Sequence, residues 1–263
     1  LLKAYTLAYQ GGALKSSLQF FPILEATDPQ ALRIASGFGP GVWLFSNYLW
    51  SLSSTLRLSQ QMKALDPRNL TIHGGPSCPR GEQAGEDFMT AHPHVDILVL
   101  AEGELTIAEL LAALADGALA GDCRERLETV KGILYRAEPG VFRRTEDRAR
   151  VDNLNDLPSP YLTGLFDKLS GWSAIVETNR GCPYGCTFCD WGALTQQKIK
   201  QFDLERVKAE LEWTARHQSS AILIADANFG IFERDLEIAQ YIVSCNRRYG
   251  YPKMVAPTFA KNI

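Results

Sequence analysis

The chain has 263 residues, 46% of them hydrophobic, and a formal net charge of −3. That length can bury one large hydrophobic core or two medium ones. Without a stretch dense in lysine and arginine, the charge balance disfavours a nucleic acid as partner, because phosphate backbones select basic surfaces. The apolar stretches are far shorter than the roughly 20 residues of a membrane span. No signal-peptide pattern opens the chain, so we expect a cytoplasmic protein.

The two ends of the sequence predict that more chain belongs on either side. The first residues, LLKAYTLAYQ, lack Met and already follow a helical pattern. A strand is expected before this helix, and the last residues stop within an unfinished architecture. We therefore expect a fragment of a longer protein, truncated at both ends.

Residues 1–125 are predicted to form a first α/β domain. Nearly continuous apolar runs at residues 42–45, 70–73 and 96–100 alternate with helical stretches such as TLRLSQQMKAL and TIAELLAALADG. This rhythm is typical of a parallel, doubly wound sheet whose strands are covered on both faces.

A hairpin and a linker are predicted between residues 126 and 171. The stretch GILYRAEPGVFRRT indicates two short strands joined by a turn at Glu138, Pro139 and Gly140. The next stretch, DNLNDLPSPYLTG, is rich in turn-forming residues and should run extended over the surface.

Residues 172–263 are predicted to form a second α/β unit. Strands are expected at 174–178, 221–225 and 254–256, with a helix opening at Asp203 and another over about 235–248. The resulting β-α-β-α-β order is about half of a (β/α)₈ barrel, whose full form takes about 250 residues.

The stretch NRGCPYGCTFCDWG places Cys182, Cys186 and Cys189 in the spacing CxxxCxxC, directly after the first strand of the second unit. In barrel folds such loops carry the catalytic residues. Pro183 and Gly185 are expected to bend the backbone so that three thiolates converge. A disulfide framework is disfavoured, because the motif cysteines are too close together and the other three stand far apart: Cys78, Cys123 and Cys245.

Two metal centres could use these thiolates. A structural zinc site needs four closed ligands, and no fourth Cys or His lies near the motif. A [4Fe–4S] cluster on three cysteines keeps one iron open for a substrate or cofactor. The cluster is the favoured interpretation and zinc is the alternative.

This motif, with Phe188 before its last cysteine and a barrel strand before it, resembles the radical S-adenosylmethionine (SAM) superfamily. The resemblance implies that the three cysteines hold a [4Fe–4S] cluster, that SAM binds its open iron, and that Phe188 approaches the adenine. The superfamily often has a Gly-Gly-Glu-like segment after the second strand, where this chain reads DANFG. Asp226 and Asn228 in that segment either form a turn that ends the strand or contact SAM. Their position at the catalytic face of the barrel favours contact with SAM.

Three loops of the first domain follow predicted strands: SNYLWS, GGPSCP and AEGE. Ligands of open parallel sheets bind at such strand ends. Gly74 and Gly75 would let the backbone approach a bulky ligand, and Tyr48, Leu49 and Trp50 offer a flat apolar surface. A dinucleotide or triphosphate is disfavoured, because neither GxGxxG nor GxxxxGK[ST] occurs. The loops therefore favour a large planar cofactor.

With these loops ahead of a radical SAM unit, the chain resembles the cobalamin-binding radical SAM enzymes, whose first domain is Rossmann-like. The resemblance implies that residues 46–51 face the lower side of the corrin and that the other two loops border its nucleotide tail. The implied cobalamin-binding residues are Ser46, Asn47, Tyr48, Leu49, Trp50, Gly74, Gly75, Pro76, Glu102, Gly103 and Glu104. The DxHxxG signature of histidine-ligated cobalamin is absent, so a structural role is expected for His73.

The resemblance implies a methyltransferase that moves a methyl group from methylcobalamin to a substrate carbon radical, which the 5′-deoxyadenosyl radical generates. Two alternatives stay open: a rearrangement or cyclisation without methyl transfer, and a non-catalytic cofactor-binding fragment. The implied partners are a small-molecule or peptide substrate and an external electron donor such as flavodoxin or ferredoxin. No catalytic acid or base can be named from the sequence.

Overall fold

A computed structural model describes residues 1–21, 29–115, 124–168, 170–186 and 197–260. It divides into two compact units, one covering Ala4–Arg150 and the other starting at Val151. No helix within these described ranges is both long and apolar enough to cross a membrane.

The helices and strands of the first unit follow the predicted alternation. Its helices are α1 (Leu2–Ala8), α2 (Pro29–Phe38), α3 (Leu52–Leu65), α4 (Glu82–Ala91), α5 (Gly103–Ala115) and α6 (Arg124–Leu127). Its strands are β1 (Val42–Ser46), β2 (Leu70–Gly74), β3 (Ile97–Val99), β4 (Ile133–Glu138) and β5 (Val141–Arg144). They form one sheet in the order β1-β2-β3-β4-β5, parallel from β1 to β3 and antiparallel beyond.

Helices cover both faces of this sheet. The neighbouring residues Ile97 and Leu98 point to opposite faces, as strand geometry requires. Ile97 packs in a cluster with Leu110 of α5, whereas Leu98 packs in another with Met89 of α4. The predicted doubly wound architecture is therefore confirmed.

The hairpin of β4 and β5 extends the first sheet instead of joining two domains. Ile133, Leu134 and Tyr135 are fully buried on β4, which pairs with β3. An apolar strand of this kind stabilises the fold by burial, so it is drawn into the core of the first unit.

The second unit contains strands β6 (Ala174–Val176), β7 (Asn179–Cys182), β8 (Gln197–Gln201), β9 (Ala221–Phe229) and β10 (Met254–Phe259), with helices α7 (Leu204–Arg216) and α8 (Glu233–Tyr249). Strands β6, β9 and β10 are parallel and lie in chain order. This confirms the predicted β-α-β-α-β order of a partial barrel. Val207, Leu211 and Ala215 are buried on one face of α7.

The segment predicted as a surface linker is partly buried. Leu154 and Leu157 are buried, and the Tyr161 hydroxyl donates to the Ile175 carbonyl oxygen at 2.6 Å and accepts from its amide at 3.0 Å. Tyr161 thus satisfies two backbone groups of β6. The prolines indicated irregular backbone correctly, but the apolar side chains between them dock onto the second unit.

Candidate cofactor sites

The cysteine motif begins inside a strand. Cys182 is the last residue of β7, which pairs antiparallel with β8, whereas the sequence predicted a loop at this point. The pairing register shifts between Arg180 and Cys182, and Gly181 between them has a φ of +126°. Only glycine adopts this backbone readily, so Gly181 lets the chain bulge just before the first cysteine. β7 escaped prediction because its sequence, NRGC, has no apolar alternation.

The described cysteines of the motif fit an iron–sulfur site. Cys182 is buried and Cys186 is half-buried, and both are free thiols. The Nδ2 of Asn228 donates a hydrogen bond to Sγ of Cys182 at 3.1 Å. A donor aimed at the sulfur stabilises a thiolate, which is the form that binds iron. Phe188 and Cys189 lie outside the described residues, within which no group of three metal-binding side chains forms.

Asp226 lies inside β9, so the less favoured alternative, a turn that ends the strand, does not apply to it. Its carboxylate accepts hydrogen bonds from the amide of Thr178 at 2.7 Å, the amide of Asn179 at 3.2 Å and the Asn179 side chain at 2.8 Å. The Thr178 hydroxyl donates a fourth. Burial raises the pKa of Asp226 to about 6, against the lowering effect of these donors.

These four hydrogen bonds decide what Asp226 can do. A carboxylate offers about four acceptor positions, and here protein donors take all of them. The geometry argues against the predicted direct contact with SAM. Instead, Asp226 ties the middle of β9 to the start of β7 and so positions the strand that ends in Cys182.

Asn47 joins two of the predicted cobalamin loops. Its buried Nδ2 lies 3.0 Å from Nδ1 of His73 and 3.1 Å from Sγ of Cys78, and its Oδ1 accepts from Thr55 Oγ1 at 2.6 Å. The backbone amide of Asn47 donates to the Gly74 carbonyl oxygen at 2.7 Å. Asn47 therefore holds together the loops that follow β1 and β2. The polar atoms of its side chain all contact protein groups.

The paired glycines have a structural reason that the sequence did not reveal. Gly75 has a φ of +103°, and a Cβ added there would lie 2.8 Å from the carbonyl oxygen of Asn47. A Cβ on Gly74 would lie 3.3 Å from Cβ of Val99. The sequence analysis attributed the two glycines to close approach by a ligand. In the structure they allow close approach by other protein segments, at Asn47 and Val99.

Tyr48, Leu49 and Trp50 form an exposed apolar surface after β1. Leu49 is 88% exposed and Trp50 is 80% exposed. The rings of Tyr48 and Trp50 stack at a centroid distance of 4.9 Å with 12° between their planes. Large apolar side chains that are clustered and exposed indicate a binding surface. The stacked pair offers the flat face that a planar cofactor would contact.

The remaining predicted residues lie near these loops or at the start of α5. Ser46 and Pro76 are exposed. Oε1 of Glu102 accepts from Nε of Arg150 at 3.1 Å. Gly103 begins α5, where a Cβ would lie 3.2 Å from Leu2, and Glu104 next to it is buried. Gly103 therefore serves the packing of α1 against α5.

His73 is an interior side chain. It stacks on Phe45 with a centroid distance of 4.6 Å and is fully buried. Burial, with smaller contributions from His94 and His92, lowers the pKa of His73 to about 3. The imidazole is therefore packed within the protein interior, and the structural role expected for His73 stays a prediction.

Comparison with known proteins identifies relatives whose similarity covers most of this chain. The cobalamin-dependent radical SAM methyltransferase TokK of Streptomyces tokunonensis is 38% identical over 238 residues, which cover 85% of this chain and 32% of TokK. The 2-(S-pantetheinyl)-carbapenam-3-carboxylate methyltransferase of Streptantibioticus cattleyicolor is 38% identical over 236 residues, with the same coverage. This chain spans about a third of the length of these relatives.

A solved structure has the same fold. The cobalamin-dependent SAM radical enzyme OxsB, with aqua-cobalamin and SAM bound, superposes with a TM-score of 0.58 at 20% identity, over 86% of this chain and 31% of OxsB. No family model matches the sequence. The relatives' names, the shared fold and the cysteine motif on a partial barrel agree with one another, and the chain belongs to the cobalamin-binding radical S-adenosylmethionine enzymes.

Proposed function

We propose that the chain is part of a cobalamin-dependent radical SAM methyltransferase. The observation that carries this proposal is the cysteine motif in the connection from β6 to α7, at the carboxyl end of a parallel strand, with Cys182 hydrogen-bonded to Asn228. Connections at this end of barrel strands carry active sites. The sulfur is poised as a metal ligand, which supports the cluster rather than a purely structural loop.

Different residues of this chain then bind the three cofactors, which are the [4Fe–4S] cluster, SAM and cobalamin. Cys182, Cys186 and Cys189 hold the [4Fe–4S] cluster, and Phe188 contacts SAM. The stacked pair of Tyr48 and Trp50, with Leu49, carries the corrin. Loops 74–76 and 102–104 border the cobalamin nucleotide. Asn47, Gly74, Gly75 and Gly103 serve this site through packing, because their contacts are with protein.

When bound, the cluster with SAM supplies a radical that removes hydrogen from the substrate, and methylcobalamin supplies the methyl group. The chain's own contribution is to orient these groups and to keep the thiolates in place, which Asp226 does through β7. The names of two relatives specify methyl transfer, which favours it over a rearrangement or cyclisation. The substrate is a small molecule, as the carbapenam named for one relative supports.

The proposal includes an external electron donor, such as flavodoxin or ferredoxin, because the cluster must be reduced for each cleavage of SAM. It also includes a cytoplasmic location, since free thiols that ligate iron persist in a reducing compartment. No nucleic acid takes part.

The test is anaerobic reconstitution of the chain with iron, sulfide and hydroxocobalamin. The visible charge-transfer absorbance of the cluster is expected in the wild type and lost when Cys182, Cys186 or Cys189 is changed to Ala. Cys245→Ala is the matched control, because Cys245 is a buried free thiol outside the motif. A cluster that survives all three changes would contradict the proposal.

Mass spectrometry separates methyl transfer from the alternative chemistry. With 2-(S-pantetheinyl)-carbapenam-3-carboxylate as the probe, methyl transfer adds one methylene unit to the mass of the product. A rearranged product of unchanged mass would instead support the alternative.

A further inference from the structure

Asn228 contacts the sulfur of the first motif cysteine from a different strand. Asn228 lies near the end of β9 and Cys182 ends β7; both side chains are buried, and Nδ2 lies 3.1 Å from Sγ. The two residues are 46 positions apart in the chain. Tertiary structure alone brings them together.

The Asp226 carboxylate keeps this contact in place. Asp226 is two residues before Asn228 on β9, and its hydrogen bonds to Thr178 and Asn179 hold the start of β7. Alternate residues of a strand face the same side, so Asp226 and Asn228 both contact β7. Asp226 anchors the start of β7, and Asn228 reaches the sulfur at its end.

The chemistry of the pair fixes the direction of the hydrogen bond. An iron-bound thiolate has no proton and can only accept, whereas the Asn228 amide carries two N–H donors and does not titrate. The donor stabilises negative charge on the sulfur, and the low dielectric of a buried site strengthens this effect. Reduction adds an electron to the cluster, so the reduced state gains more from the donor than the oxidised state.

We propose that Asn228 is a positioning residue that raises the reduction potential of the cluster through its hydrogen bond to Cys182. The inference rests on the proposed function, since it requires the [4Fe–4S] cluster. Hydrogen bonds to cluster sulfurs are among the features that set such potentials. It also replaces the predicted contact of Asn228 with SAM by a role that acts through the metal ligand.

The experiment measures the reduction potential of the cluster in anaerobically reconstituted full chain by redox titration, with the reduced state followed by electron paramagnetic resonance. Asn228→Leu removes the donor at similar volume. At the wild-type midpoint potential, the ratio of reduced to oxidised cluster should fall about tenfold, which equals about 59 mV for one electron. Asn228→Asp keeps the shape, replaces the donor by a negative charge, and should lower the potential further.

Asn246→Leu is the control, because its Nδ2 donates at 2.7 Å to the Pro252 carbonyl oxygen, not to sulfur. Its potential should equal that of the wild type. Equal potentials in wild type and both Asn228 variants would overturn the inference while leaving the cluster intact. Loss of the cluster from both variants, with uptake by the wild type, would overturn it in favour of a purely structural role. No cluster in the wild type would overturn the proposed function and the inference with it.

Discussion

Replacing Gly75 with Ala tests whether the loops after β1 and β2 are held together by backbone proximity. The substitution places a Cβ 2.8 Å from the Asn47 carbonyl oxygen and 3.0 Å from the Asn47 nitrogen, at a φ of +103°. Both neighbours are backbone atoms, which cannot swing away as a side chain could. Gly140→Ala is the matched control, because Gly140 has a φ of +77° and nothing within 4 Å of the added Cβ.

The two variants separate two costs. A non-glycine residue at positive φ costs about 1–2 kcal/mol, and both variants carry this cost. Overpacking costs a further 1–3 kcal/mol or so, and only Gly75→Ala carries it. The gain from a less flexible unfolded chain is the same for both substitutions. We therefore expect Gly75→Ala to lower the free energy of unfolding by about 2 kcal/mol more than Gly140→Ala.

Urea denaturation followed by far-ultraviolet circular dichroism measures this difference, since both glycines belong to the first unit. The midpoint should fall more in Gly75→Ala with little change in the slope. Equal losses in the two variants would show that the loop relaxes around the new methyl group, and the close approach to Asn47 would then not explain Gly75.

Three further predictions concern other contacts. Tyr161→Phe removes the hydroxyl that serves both backbone groups of Ile175 and should cost about 1–3 kcal/mol in urea denaturation; an unchanged midpoint would mean that water replaces it. Burial raises the pKa of Asp226 from its ordinary 3.8 to about 6, so folding binds a proton between these values. The stability of the wild type relative to Asp226→Asn should therefore be greatest below pH 4 and fall as the pH rises through 6; a difference that grows with pH would contradict this. Trp50→Ala should leave stability within about 0.5 kcal/mol, because Trp50 is exposed, and weaken hydroxocobalamin binding about tenfold in an absorbance titration; unchanged binding would remove Trp50 from the proposed site.

Local patterns in the sequence were sufficient for most of the secondary structure. Strands β1 to β3, β6, β9 and β10 follow from apolar runs separated by helical periodicity, because each of these elements carries its own burial pattern. The polar strand β7 carries no such pattern. The burial of Leu154 and Leu157 was also missed, because turn residues around them dominate the local signal.

The sequence by itself determined the cysteine spacing, the strand-end loops and, through them, the family. These signals are local: three thiols within eight positions and aromatic residues directly after a strand need no knowledge of distant contacts. The tertiary structure decided what the polar residues do. Asp226 meets Thr178 from 48 positions away, Asn228 meets Cys182 from 46, and Asn47 meets Cys78 from 31. Hydrogen bonds depend on distances of about 3 Å and on direction, and only the packing of the strands sets those for residues so far apart in the chain.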